Sequence, residues 1–335
     1  SISMFNRART ISSLLAAAAV ITFAAASLSA VPTARAQSLT WKRLSPKKSP
    51  SARAYPAMAY DPVSKKIVLF SGFDGSSYLR ETWTFDGTSW TKLKTAVSPS
   101  GRAGASMAFD RVTRRLVLFG GFDGANDLGD TWLWDGATSR WTQAHPKSSP
   151  TAVTGPMLFT DPKNGHADEF GGYDGKLYQL HTWRWTGKTW IQLHPSNTPG
   201  ARSIAVCALD SKRKNVVLFG GLGDVRTDNT WTWDGTDWTQ QSPATQPPTR
   251  YGAGSAFDPK LQMVTIFGGG AGGVSQNQTW AWTGTDWTEL NPAKSPAARE
   301  SMGMAFDAAS GQLLVFGGIA NQKTLFGETW NLIGH

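Results

Sequence analysis

The sequence predicts an all-β protein in which six copies of one four-stranded unit form a closed ring, a six-bladed β-propeller. Three observations lead to this prediction. An apolar run that ends in glycine recurs six times, with the closing glycines 48 to 51 residues apart, and a period of this length is typical of propeller blades. A Thr-Trp pair follows every run, and the repeat contains all 16 tryptophans of the 335 residues. The tryptophan excess therefore indicates a repeated structural unit.

Each unit is predicted to contain four antiparallel strands. The first strand is small and apolar and ends at an aspartate that starts a turn, as at Asp110. The second is a continuous apolar run such as 116–119, which is expected when neighbouring blades cover both faces of a sheet. The third reads Thr-Trp-x-Trp, and the fourth begins at the next tryptophan after a turn that is often Asp-Gly. We expect the tryptophans to form the core between blades rather than a sugar-binding platform.

The spacing also predicts how the ring closes. Unit six ends after Trp330 without a fourth strand, whereas Trp41 begins an isolated strand-like segment at 40–44 that resembles the fourth strand at 90–93. From each fourth-strand tryptophan to the start of the next unit is twelve residues. The units start near these positions: 53, 102, 153, 202, 250 and 299. We therefore expect residues 40–44 to complete blade six, and residues 37–335 to form one domain without an open sheet edge.

The first 36 residues are predicted to be a cleaved signal peptide. Arg7 and Arg9 precede an apolar run at 11–28, and Ala34-Arg35-Ala36 matches the cleavage pattern of signal peptidase. The alternative is an uncleaved membrane anchor. Cleavage after Ala36 leaves a secreted or periplasmic chain with 30 basic and 24 acidic residues and no further membrane span. The single cysteine, Cys207, excludes an internal disulfide framework and a Cys-rich zinc site. We expect a monomer with no metal and no cofactor.

Paired glycines and their flanking aromatic residues connect the chain to a known family. The segments Gly-Gly-Phe-Asp-Gly at 120–124 and Gly-Gly-Tyr-Asp-Gly at 171–175 resemble the consensus of the kelch-repeat family. The resemblance extends over residues 40–332 and implies a propeller whose first strands are innermost. It says little about activity, because this fold serves adaptors, lectin-like binders and a few enzymes.

A ligand site is predicted at the mouth of the central channel. The residues that begin each unit and the glycine pairs that end each second strand lie on the same face of the ring. Five of the six units begin with an arginine. The candidate ligand-binding residues are Arg53, Arg102, Arg202, Arg250, Arg299, Phe73, Phe122 and Tyr173. Exposed arginines around a concave mouth would favour carboxylate, sulfate or phosphate groups, and the resemblance implies contact with acidic peptides at matching positions. The alternative is that each arginine pairs with a carboxylate of its own blade, such as Glu81 or Asp130.

Blade three departs from the repeat. Its second strand carries Asp168 and Glu169 where other blades carry pairs such as Val117-Leu118 or Val217-Leu218, and Val153 replaces the arginine. Two carboxylates in a strand that is covered on both faces are costly unless they are paired, hydrogen-bonded or hydrated. Either this blade is a decayed and loosened repeat, or one of the carboxylates acts as an acid, base or cation ligand near His166 and His181.

The function predicted from the sequence is an exported binding module that recognises an acidic glycan, peptide or envelope polymer at the mouth. The alternative is a carbohydrate-active enzyme of the sialic acid mutarotase type, with which Arg299 and Glu300 are compatible. The sequence contains no nucleophile-elbow, zinc-protease or phosphate-loop motif, so a binding function is favoured over catalysis. A nucleic-acid partner is not expected, because the chain has no recognisable nucleic-acid-binding module.

Overall fold

The computed structural model describes residues 39–224 and 227–335. The predicted signal peptide and its cleavage site lie outside these residues. The described chain contains β-strands and no helix, and its 28 strands form six four-stranded antiparallel sheets and two short hairpins. None of its segments is therefore a helix that could cross a membrane. The prediction of an all-β, six-bladed propeller is confirmed.

The strands follow the predicted order within each blade. The first strand of the chain is β1 (Thr40–Arg43), and blade one contains β2 (Ala57–Asp61), β3 (Lys66–Phe70), β4 (Thr82–Phe85) and β5 (Trp90–Leu93). Blade two contains β6 (Ser106–Asp110), β7 (Arg115–Phe119), β8 (Thr131–Asp135) and β9 (Arg140–Ala144). Blade three contains β10 (Met157–Thr160), β11 (Ala167–Phe170), β12 (Thr182–Trp185) and β13 (Trp190–Leu193).

The second half of the ring adds a small hairpin to two blades. Blade four contains β14 (Val206–Asp210), β15 (Asn215–Phe219), β16 (Thr230–Trp233) and β17 (Trp238–Gln240). Blade five contains β18 (Gly254–Asp258), β19 (Met263–Phe267), the hairpin strands β20 (Gly270–Ala271) and β21 (Val274–Ser275), β22 (Thr279–Trp282) and β23 (Trp287–Leu290). Blade six contains β24 (Gly303–Asp307), β25 (Gln312–Phe316), the hairpin strands β26 (Ile319–Ala320) and β27 (Thr324–Leu325), and β28 (Thr329–Ile333).

The N-terminal strand lies at the outer edge of the sixth sheet. β1 pairs antiparallel with β28, with Trp41 opposite Leu332 and Arg43 opposite Trp330. The sixth sheet thus runs β1-β28-β25-β24 from outside to inside. Whether this strand is what holds the ring closed stays a prediction, and its test is described in the Discussion.

A ladder of side-chain hydrogen bonds joins the blades at their outer edges. The first tryptophan of each outermost strand donates its indole N–H to the threonine that opens the third strand of the preceding blade, over 2.8 to 3.0 Å. The six bonds are Trp90 to Thr329, Trp141 to Thr82, Trp190 to Thr131, Trp238 to Thr182, Trp287 to Thr230 and Trp41 to Thr279. All six tryptophans are at most 4% exposed. They hold the blades together, as the sequence predicts.

Backbone hydrogen bonds join the blades around the mouth. The glycine that closes each apolar run donates its N–H to the carbonyl of the residue that starts the next blade, as from Gly72 to Arg102 over 2.9 Å. Nearer the axis, six residues form a closed ring in which each N–H reaches the carbonyl of the preceding blade. These residues are Tyr55, Gly104, Gly155, Ile204, Gly252 and Ser301. All six have positive φ angles, a conformation that is strained for the β-branched Ile204.

Candidate functional site

The predicted aromatic residues lie at the mouth of the channel. Phe73, Phe122 and Tyr173 each form a β-bridge with the residue that follows a blade start, namely Ala54, Ala103 and Thr154. All three aromatic side chains are half-buried. The structure therefore brings the loops after the glycine pairs next to the first-strand starts, as the strand directions predict.

The five predicted arginines are buried instead of rimming the mouth. Arg53, Arg102, Arg202, Arg250 and Arg299 are each at most 1% exposed. Each guanidinium lies beneath the loop of its own blade and donates to the backbone carbonyl of the residue before the closing glycine, over 3.1 to 3.2 Å. The interpretation of these guanidinium groups as an open rim was wrong, because the sequence locates the arginine but not the direction of its side chain.

Arg102 shows how such an arginine joins two blades. Its Nη1 and Nη2 donate to the two carboxylate oxygens of Asp130, over 2.6 and 2.8 Å, and Nη1 also donates to the Gly120 carbonyl. The adjacent Gly121 then donates its N–H to Val153 of blade three. The structural alternative considered for the arginines, pairing with a carboxylate of the same blade, is therefore the observed arrangement for Arg102.

The partner of the arginine differs between the blades. Arg53 and Arg299 also meet carboxylates, those of Glu81 and Glu328, over 2.9 and 3.0 Å. In blades four and five the partners are the neutral amides of Asn229 and Gln278. Burial lowers the pKa of Arg202 and of Arg250 to about 10. Within the described residues, neither has a carboxylate oxygen at salt-bridge distance, and the charges of Asp228 and Glu289 act on Arg202 and Arg250 only from further away.

A cavity of about 630 Å³ opens between blades four and five. Its lining comes from the loops of both blades and includes Leu222, Thr227, Thr249, Arg250, Tyr251 and Ala271. We call it the blade-4/5 cavity. Its volume lies in the range of small-molecule sites. It was not predicted from the sequence, although five glycines at 268–270 and 272–273 mark where bulkier loop residues are missing.

Gly270 allows two polar side chains to approach this cavity. A side chain at Gly270 would overlap both the Glu300 carboxylate and the Tyr251 ring. Glu300 and Tyr251 occupy equivalent positions in adjacent blades, directly after the arginines, and are 1% and 7% exposed. The secondary candidate Glu300 thus lies beside the cavity, together with a phenol that sequence reasoning did not select.

Blade three is an intact sheet with its own charge pairing. Asp168 lies opposite Arg184 in the register of β11 and β12. Arg184 Nε and Nη2 donate to Asp168 over 2.8 and 2.7 Å, and Nη2 also reaches Asp161 over 2.7 Å. The blade is not loosened at this point, because the guanidinium pairs the buried carboxylates. Arg184 was missed, although Thr-Trp-Arg-Trp is the one third strand with a charge between its two aromatic positions.

The two histidines of blade three do not gather around these carboxylates. His166 Nδ1 lies 3.0 Å from Asp110 Oδ2 of blade two, and His181 is exposed on the loop at the position where other blades carry the arginine's partner. No cluster of three His, Cys, Asp or Glu side chains suited to a metal ion occurs in residues 39–224 and 227–335.

Glu169 lies in the interface between blades two and three. It is 1% exposed, and its Oε1 has no hydrogen-bond partner among the described residues. The equivalent positions in the other blades carry Leu69, Leu118, Leu218, Ile266 and Val315. Burial, which disfavours the charged form of the carboxyl, raises the pKa of Glu169 well above its usual value of 4.5.

We expect the substitution Glu169→Leu to stabilise the protein. Leucine restores the side chain of the other blades and removes a buried polar group, which is worth about 1–3 kcal/mol. A carboxyl with a raised pKa in the folded state destabilises that state progressively as the pH rises above 4.5. The gain in thermal stability should therefore be larger at pH 8 than at pH 5.

The matched control is Glu169→Gln, which keeps the shape but cannot ionise. This variant should lose the change of stability with pH that the ionisation of Glu169 causes. It retains a buried polar group, so its melting temperature should lie below that of the leucine variant. A leucine variant that melts below the parent at both pH values would contradict this account of blade three.

Comparison with known proteins agrees with this architecture. The family model described as the KLHDC2/KLHL20/DRC7 Kelch-repeats domain matches residues 27–221, more than half of the chain. The solved structure titled "Structure of YjhT" superposes with a TM-score of 0.68 at 15% sequence identity, covering 85% of this chain and 95% of that one. The search of curated proteins finds no match. With its six blades, glycine pairs and matching family model, the chain belongs to the kelch-repeat family.

Proposed function

We propose that this protein is an exported kelch-repeat binding module, and that its ligand is a carboxylate-bearing sugar or glycan held in the blade-4/5 cavity. The kelch propeller fold is that of a protein-interaction module, and partners of kelch propellers are commonly proteins. The finer proposal depends on one observation: a cavity of about 630 Å³ at the mouth is lined by Arg250, which, like Arg202 of the neighbouring blade, hydrogen-bonds to a neutral amide.

The charge of the arginines near the blade-4/5 cavity supports an acidic ligand there. The carboxylates of blades one, two and six neutralise their arginines directly, whereas in the described part of the chain the side-chain partners of Arg202 and Arg250 are the neutral amides of Asn229 and Gln278. A buried positive charge near a concave surface attracts anions through the low-dielectric protein. The acidic ligand would therefore be recognised by this positive field, without displacing the hydrogen bonds of either guanidinium.

The polar groups of the cavity support a ligand that also carries hydroxyl groups. Thr249 and Tyr251 line the cavity and carry hydroxyl groups, and the buried Glu300 carboxylate lies against Gly270 of its wall. Thr227 already donates its hydroxyl to the Gly221 carbonyl over 2.9 Å, which leaves its oxygen as an acceptor. A sugar acid combines hydroxyl donors for these oxygens with a carboxylate for the field of the arginines.

Blocking the cavity tests the proposal. Ala271 lies on β20 at the cavity wall, so Ala271→Trp should fill the space and weaken binding at least tenfold. Ala320 has the equivalent place in the small hairpin of blade six, and Ala320→Trp is the matched control, which should bind as the parent does. Binding would be measured by calorimetry against sialylated, uronic-acid and neutral oligosaccharides, and acid binding should weaken as salt rises.

Two outcomes of this comparison would count against the proposal. One is equal binding by the parent and the Ala271→Trp variant, which would show that the ligand binds outside the cavity. The other is equal affinity for neutral and acidic sugars, which would show that the arginines do not attract the acidic group of the ligand.

The Glu300 and Tyr251 pair favours a second candidate, a carbohydrate-active enzyme. A carboxyl and a phenol beside one cavity are groups that can exchange protons with a bound sugar. In that case the parent would convert a bound sugar acid, for example between its anomers, and Glu300→Gln would bind the sugar without converting it. Saturable binding with no conversion in the parent supports the binding module.

A further inference from the structure

The face of the ring opposite the mouth is formed by two sets of turns. An inner turn joins the first and second strands of a blade, and an outer turn joins the third and fourth strands. In blades one to five the outer turn lies against the inner turn of the preceding blade, and a glycine allows this close approach. A Cβ on Gly187 of blade three, for example, would lie 2.9 Å from Thr113 Cγ2 of blade two. Each such junction therefore presents residues of two blades on one surface.

The junction between blades two and three carries positive charge without an acidic residue in its outer turn. The inner turn of blade two contributes Arg111 and Arg114, the outer turn of blade three contributes Lys188, and all three side chains are exposed. The outer turns of the other four blades each contain at least one aspartate: Asp86, Asp135, Asp234 and Asp286. Blade three has Thr186 at the position of the first three of these. We call Arg111, Val112, Arg114 and Lys188 the blade-2/3 surface.

The carboxylate that begins the inner turn of blade two is engaged inside the protein. Asp110 is 0% exposed. Its Oδ1 accepts the N–H of Thr113 over 2.7 Å, and its Oδ2 accepts the N–H of Ala167 over 3.0 Å. His166 Nδ1 lies 3.0 Å from the same Oδ2. In the described part of the chain, the three cations of the blade-2/3 surface have no carboxylate at salt-bridge distance, so their charge is open to an external partner.

The blade-2/3 surface also holds an exposed apolar side chain. Val112 lies between the two arginines in the sequence and is 58% exposed, one of six large apolar side chains that are exposed in residues 39–224 and 227–335. The neighbouring Arg111 donates its N–H to the Gly165 carbonyl of blade three over 2.8 Å. This bond ties the inner turn of blade two to blade three, so the backbone that carries the valine and the arginines is held in place.

We propose that the blade-2/3 surface docks onto an anionic lipid membrane. Arginine and lysine side chains are attracted to the negative surface of anionic lipids, and arginine can bind a phosphate group through two parallel hydrogen bonds. An apolar side chain beside the cations gains further stabilisation by burial at the boundary between headgroups and acyl chains. A propeller docked in this way keeps its mouth, on the opposite face, open to solvent.

Val112 separates a membrane from a soluble anionic polymer as the partner. A polymer in water would bind the cations alone, whereas a membrane also takes up the apolar side chain. Val97 is the matched control for this residue, because it is 55% exposed and lies in the linker that follows β5, at the mouth end of blade one.

The test measures cosedimentation with lipid vesicles. It uses residues 37–335, which include all 28 described strands, so that the apolar run at 11–28 cannot itself enter the vesicles. We expect saturable binding to vesicles of equal parts phosphatidylglycerol and phosphatidylcholine, and none to vesicles of phosphatidylcholine alone. Binding should weaken as salt rises, because salt screens exposed charges.

Charge variants then locate the docking surface. Substituting Arg111, Arg114 and Lys188 together with glutamine should weaken vesicle binding at least tenfold. The control replaces Lys47, Lys48 and Lys94 with glutamine. These lysines are exposed in linkers at the mouth end, so the control removes the same charge elsewhere and should bind as the parent does. All six residues are exposed, so both variants should keep the melting temperature of the parent.

The valine variants then test the lipid contact itself. Val112→Ser should weaken vesicle binding severalfold, whereas Val97→Ser should leave it unchanged. Three results would overturn the proposal: no binding to the phosphatidylglycerol vesicles, an equal loss in the two charge variants, or full affinity in the Val112→Ser variant. The last of these, with the charge effect intact, would assign the surface to a soluble anionic polymer.

Discussion

Deletion of residues 39–44 is expected to destabilise the protein by about 4 kcal/mol or more and to promote its association. The deletion removes Leu39 and Trp41, which are 3% and 1% exposed, and loss of one buried tryptophan alone typically costs about 3–5 kcal/mol. It also breaks the bond from Trp41 to Thr279 and the contact of its ring with Phe267. The bare edge of β28 would then be open to pairing with another chain.

Thermal melts and size-exclusion chromatography would measure this effect. The control is Trp41→Phe, which keeps the strand pairing and most of the buried ring but loses the indole hydrogen bond, and should cost about 1 kcal/mol. A deletion variant with the melting temperature of the parent and a monomeric profile would show that β1 is dispensable for closing the ring.

The fold could be predicted from the sequence because its determinants recur with a constant period. Tryptophan, threonine and the paired glycines mark the same places in each unit, and they prove to be the residues that join the blades. Trp41 could be assigned to blade six from spacing alone, and it makes the same hydrogen bond as its five equivalents. When the same residue makes the same contact in every blade, its position in the fold can be predicted from the repeat pattern of the sequence.

The direction of a side chain was not predictable in the same way. The sequence located the arginines at the mouth but did not reveal that they turn beneath the loops to reach backbone carbonyls. The partner of Asp168 required the register of β11 and β12, which sets Arg184 opposite it. The blade-4/5 cavity exists because several loop positions around it are glycines, which have no side chain to fill the space. Glycine is common throughout this sequence, so these positions could not be recognised in advance as the wall of a cavity.

The mouth of the channel contains two kinds of residue. The arginines and glycine pairs that occur in most blades hold the ring together. The departures from the repeat, such as Gly270 and the neutral partners Asn229 and Gln278, shape the cavity and leave positive charge near it. The candidate site therefore consists of the residues that distinguish blades four and five from the others.

The mouth arginines are structural joints between the blades, and replacing Arg102 with alanine tests this role. The substitution leaves the Asp130 carboxylate and the Gly120 carbonyl without their guanidinium, and breaking a buried pair in this way costs about 3–5 kcal/mol. Because the arginine is buried, the loss should be nearly the same at low and moderate salt. Arg80→Ala, at an exposed arginine of the neighbouring loop, is the control and should change stability by less than about 0.5 kcal/mol.

The decisive measurement is the melting temperature of the Arg102→Ala variant at two salt concentrations. We predict that it falls several degrees below that of the parent by a similar amount in both buffers, while the Arg80→Ala variant melts with the parent. An unchanged or raised melting temperature that varies with salt would contradict the account, because that is the behaviour of exposed arginines that repel one another.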